Sequence, residues 1–205
     1  MRNLILFLFL ALSACSTSSS KPKDTINPQA RKLLDSGANE GVHKNDFKKA
    51  IFIIDQAIKL DSNYLAAYST KFSFLGMIRP YDKDKALNTL QNMIRIRPTI
   101  PEYYLYSGIL YIEKGDSLMA DKYLSLAKVY IDKILDTMSK SNIAYQVLLS
   151  DKAYTLILKG EEEKARAMEN EILELKMDSL YRAEFLGFLR KSRKEIIDSL
   201  LKQDM

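Results

Sequence analysis

The sequence predicts an all-α protein, an array of antiparallel helix pairs with a C-terminal capping helix, and three observations predict it. Only seven Gly and five Pro occur in 205 residues, too few for a turn-rich all-β chain and suited to one made mostly of helices. Apolar residues recur at helical spacing through the body of the chain. Small residues recur at matching places: Ala50, Ala86, Ala120 and Ala165 are separated by 36, 34 and 45 positions. At 47% hydrophobic and 28% charged, the composition is that of an ordinary globular protein.

The first element is a leader. Arg2 gives a short positive start, and Leu4 to Leu12 is an apolar run too short to span a bilayer and suited to the middle of a signal peptide. It ends in Leu12-Ser13-Ala14-Cys15, which resembles the lipobox of bacterial lipoproteins. The resemblance implies a signal peptide over 1–14 and lipidation of Cys15, whose thiolate is the nucleophile that takes the lipid group. Ser16, not Asp, follows the Cys; by the sorting habit of enteric lipoproteins this implies the outer membrane, with the domain facing the periplasm. With the single Cys lipidated, no disulfide is available, so the fold must hold by packing. Residues 15–26 carry the lipidated Cys and a Ser-rich polar tether of about 20 Å mean reach.

The repeats follow over 27–177. Asn27-Pro28 is a helix start, because Asn caps and Pro is tolerated at the first helical position. The clearest unit begins at Pro101: Tyr104-x2-Ser107-Gly108-x2-Tyr111, then Gly115-Asp116, then Ala120-x3-Leu124-x2-Ala127. Gly108 and Ala120 are small where two helices would cross closely, and Gly115 suits a helix end that needs positive φ. Weaker copies are Asp46-Phe47 with Ala50, Ile54 and Ala57; Asp82 with Ala86, Leu90 and Met93; and Gly160-Glu161 with Ala165, preceded by Ala153. This pattern resembles the tetratricopeptide repeat (TPR), a helix–turn–helix unit of 34 residues, and implies an α-solenoid. Three departures stand out: Phe72 near a small position, a long turn around Pro80-Tyr81, and Glu169 where the fourth repeat should have an apolar residue. The longer third interval is assigned to a second helix extended through Tyr130 and Leu135. An irregular helical bundle is the alternative.

The last segment, 178–205, reads as a capping helix, since Phe185, Leu186, Phe188, Leu189, Ile196, Ile197, Leu200 and Leu201 keep helical spacing and a stack of helix pairs needs its open apolar end covered. Arg190, Lys191, Arg193 and Lys194 on that helix read as a solvated face, with anionic lipid as the alternative.

Chemistry is sparse. His43 is the only His, so metal and acid–base sites lack partners. Glu161-Glu162-Glu163 sits at a helix start, where acids offset the helix dipole. No phosphate loop, metal spacing or nucleophile motif occurs. The net charge of +5, about four of it outside the leader, is small and dispersed, unlike the clustered footprint of a nucleic-acid binder. No cofactor is expected.

In TPR proteins the first helix of each pair faces the concave surface. By position, the resemblance implies a peptide-binding groove of Ser69 and Ser73 from the second repeat, Glu102, Tyr106 and Ile109 from the third, and Asp151 and Tyr154 from the fourth. Tyr104 and Tyr111 are expected between helices, and Tyr106 and Tyr154 outside them with little weight in stability. The function so implied is that of a non-catalytic scaffold in the cell envelope, anchored by lipid and binding envelope proteins or extended peptides. The alternative is an envelope hydrolase working with carboxylates on an irregular helical fold.

Overall fold

The computed structural model describes residues 26–201. Cys15, the leader before it and residues 16–25 of the tether lie outside the described residues. The described chain is helical with no strand, and it divides into two units at Ile96 and Arg97.

In the first unit, α1 (Pro28–Lys44) and α2 (Phe47–Leu60) form one pair, and α3 (Leu65–Leu75) and α4 (Lys83–Ile96) a second. Asn27 caps α1 as its sequence predicts: its side-chain oxygen accepts from the backbone N–H of Gln29 at 2.9 Å. Asp46 caps α2. Ala50, Ile54 and Ala57 of α2 are fully buried and form a core with Ala30, Leu34, Tyr64, Ala67 and Phe74. The close crossing of α1 and α2 is set by Gly37, where a Cβ would stand 2.7 Å from Ile54 Cγ1 and 3.0 Å from the Ala50 carbonyl oxygen. Phe72, at the register of Gly108, is half-buried. Phe74 takes the buried place instead, packed on Gly41 of α1 with its ring 5.5 Å from that of Phe47.

In the second unit, α5 (Pro101–Glu113) and α6 (Ser117–Leu135) form the most regular pair. Gly115, at φ +76°, ends α5, and Asp116 caps α6. A Cβ on Gly108 would stand 2.7 Å from Leu124 and 3.4 Å from the Ala120 carbonyl oxygen, so the small residues lie at the crossing. Tyr104 stacks on Tyr130 at 5.1 Å and Tyr111 on Tyr123 at 5.3 Å. The extension of α6 through Leu135 is observed, and Tyr130 near its end gives the extra turns a packing partner. Next come α7 (Ile143–Leu158), α8 (Glu162–Arg166) and α9 (Glu169–Glu174), with Gly160 at φ +78° between α7 and α8.

The fourth repeat departs at Glu169, as its sequence indicates: its second helix is interrupted into α8 and α9, and Met168 supplies the buried residue. Ala167 and Met168 keep right-handed backbone angles, so Ala165, Met168, Ile172 and Leu175 still form one buried stripe. The single terminal helix expected over 178–201 is two, α10 (Ser179–Leu189) and α11 (Arg193–Leu201). The break has a local cause. Ser192 and Glu195 form a reciprocal cap: Glu195 Oε2 accepts from the Ser192 backbone N–H at 2.7 Å, and Ser192 Oγ accepts from the Glu195 N–H at 3.2 Å. The basic run is therefore no continuous helix face. Arg190 and Lys191 fall in the break, and Arg193, though exposed, is tied by its side chain to the Leu158 carbonyl oxygen.

Each unit is thus an array of antiparallel helix pairs with small residues at the crossings, a TPR-like fold.

Candidate functional site

Glu102, Tyr106 and Ile109 are spaced four and three residues apart, so α5 carries them on one face; all three are half-buried. The opposite face of α5 holds Tyr104, Ser107 and Gly108, buried towards α6. On α7, Asp151 and Tyr154 are three residues apart and share a face in the same way. The structure brings four of these residues together. Tyr106 lies within electrostatic reach of Asp151, Glu102 and Tyr154, and Tyr154 within reach of Asp151 and Glu113.

Asp151 is the most constrained of them, at 5% exposure. Its Oδ2 accepts no hydrogen bond from the described residues. Burial, and after it the charge of Glu102, push its carboxyl up to about 8. Burial also raises Glu102. The phenols of Tyr106 and Tyr154 are raised above their ordinary value first by burial and then by neighbouring carboxylates. The face is thus acidic and phenolic in a chain that is basic overall.

The two serines differ. Ser69 and Ser73 lie on α3 of the first unit, half-buried, and Ser73 Oγ donates to the Ser69 carbonyl oxygen at 3.1 Å. His43 is exposed in the last turn of α1. Among the described residues no group of three or more His, Cys, Asp or Glu is placed to hold a metal ion, and no helix is long and apolar enough to cross a membrane.

Sequence reasoning missed what covers the α5–α7 face. Phe188 of α10 stacks on Tyr154 at 5.4 Å, and Tyr181 of α10 shares a hydrogen bond of 2.8 Å with Ser150 Oγ. Arg193, at the start of α11, donates from Nε to the Leu158 carbonyl oxygen at 2.7 Å and from its backbone N–H to Glu162 Oε1 at 3.1 Å. Tyr181 and Phe188 thus tie α10 to α7, while α10 itself packs on α8 and α9. Next in the chain, α11 packs against both α5 and α7. Tyr154 thus packs against α10 rather than standing outside the helices as expected. The signal was present: Tyr181, Phe185 and Phe188, four and three residues apart, form an aromatic stripe on one side of α10.

No family model matches the sequence, and comparison with curated proteins gives no match. Solved structures do resemble it. The crystal structure of MamA protein matches with a TM-score of 0.53 at 18% identity, over 84% of this chain and 86% of that one. A tetratricopeptide repeat protein from Parabacteroides merdae matches with a TM-score of 0.43 at 15% identity, over 90% of this chain and 87% of that one. The likeness to MamA protein is one of fold.

Proposed function

We propose that this chain is a non-catalytic interaction module of the bacterial cell envelope, held to the membrane by lipid on Cys15. Other envelope proteins or their peptide segments are the partners, and the outer membrane facing the periplasm is the location. The observation that carries the interaction reading is the α5–α7 face. It gathers Glu102, Tyr106, Asp151 and Tyr154 on the side of α5 and α7 away from their paired helices, and phenol rings give rigid amphipathic contact area to a partner. Helix pairs joined in an array commonly present binding surfaces of this kind. The anchor rests on the lipobox-like Leu12-Ser13-Ala14-Cys15 and the polar segment after it. The carboxylate-hydrolase reading meets Asp151 and Glu102 but lacks access to Asp151, which is buried.

Metabolic labelling with a fatty-acid analogue tests the anchor. The wild-type chain takes up label and fractionates with the outer membrane, and Cys15→Ala does neither. An unlabelled wild-type chain overturns the anchored reading.

A further inference from the structure

We infer that the α5–α7 face of the second unit is a displaceable helix-binding surface, that α10–α11 is its built-in occupant, and that its partner is an amphipathic helix bearing spaced aromatic anchors and a basic side chain opposite Asp151.

The occupant defines the first half of that chemistry. It meets α7 through an aromatic stripe: Phe188 stacks on Tyr154, and Tyr181 reaches Ser150. Anchors spaced four and three residues apart on one helix side are how an amphipathic helix enters a groove.

The hold is partial. In α10 only Phe185 and Leu189 are buried, and in α11 only Ile196. Leu180 stands 68% exposed. Segments with few buried apolar contacts open at lower free energy than the core beneath them.

The second half comes from what the occupant leaves unmet. Asp151 Oδ2 is buried with no hydrogen bond from the described residues, and Glu102 adds like charge. Tyr181 of α10, a phenol, lies within electrostatic reach of this carboxylate. A buried polar group left unpaired is costly, and a charge-assisted bond to it is among the stronger ones. A partner helix that placed Lys or Arg at the Tyr181 position would gain an ion pair that α10 does not make. That difference in affinity is what displaces an internal occupant.

The inference rests on the interaction reading above but is tested without the natural partner. The probe is a fluorescent synthetic peptide of residues 178–201, added to the full-length chain and followed by anisotropy. In the Phe188→Ala chain the peptide binds saturably and at least tenfold more tightly than to wild type, since the internal occupant is weakened. A Tyr181→Arg version of the peptide binds tighter still, and Asp151→Asn in the chain removes that gain. Absence of saturable binding to a Phe188→Ala chain that keeps wild-type helix content overturns the inference. So does a gain that survives Asp151→Asn.

Hydrogen exchange on the unmodified chain gives a reading independent of any variant. The amides of α10 and α11 exchange through a common opening, faster than those of α5–α7. Exchange of α10 and α11 only together with α5–α7 overturns the inference. Loss of membrane labelling or of natural partners would strike the interaction reading and leave the peptide result standing.

Discussion

At the scale of single residues, two positions bear the most weight, and each makes a prediction. Gly108 stands where a Cβ would enter the space of Leu124. Gly108→Leu must part α5 from α6 and should cost roughly 1–3 kcal/mol or more, read as a lowered thermal midpoint. An unchanged melt would mean that the crossing is not where the small residue places it. Asp151 links stability to pH. Its carboxyl is raised from 3.8 to about 8 on folding, so between those values the folded state holds a proton that the unfolded state has lost. Stability of the second unit therefore falls as pH rises from about 4 to about 8, then levels. The groups facing Asp151 are Glu102 and Tyr106 from α5, Tyr154 from α7 and Tyr181 from α10. Of these, Glu102 shifts in the same direction and steepens the fall. Denaturant melts at pH 5 and pH 8 measure the difference, and Asp151→Asn should remove most of it.

Single elements show how much the sequence discloses. The α5–α6 pair was legible almost residue by residue, because a Gly at a crossing, a Gly at a helix end and an Asp at a cap are local steric and hydrogen-bond facts. Gly37 plays the part of Gly108 in the α1–α2 pair, and its neighbours carry no aromatic pattern to mark it. The break before α11 is legible in Ser192-x-x-Glu195, a capping box, but the apolar stripe that runs on through it masks the signal. The packing of α10 and α11 on α5 and α7 was not legible. Amphipathicity says that a helix buries one side, and nothing about which surface receives it. Two substitutions separate these roles. Tyr104 fills the α5–α6 interior and donates its hydroxyl to the Pro98 carbonyl oxygen at 2.7 Å, so Tyr104→Ala should cost roughly 3 kcal/mol or more of unfolding free energy. Ser192→Ala should cost about 1 kcal/mol, expressed as faster amide exchange confined to α11. Equal effects of the two on the global melt would contradict the division between core pair and cover.

At the scale of the whole molecule, the proposed function joins a lipid anchor on Cys15 and a tether to an array of helix pairs whose α5–α7 face would receive a partner. The central claim concerns that face, and site-specific photo-crosslinking in membranes tests it most directly. A crosslinking side chain is placed at Ile109, on the α5–α7 face, or at Leu118 of α6, which is 80% exposed and lies on the paired helix. The account predicts discrete protein adducts from position 109 and none of the same mass from position 118. Adducts that are identical from both positions, or absent from position 109 while present at 118, would contradict it.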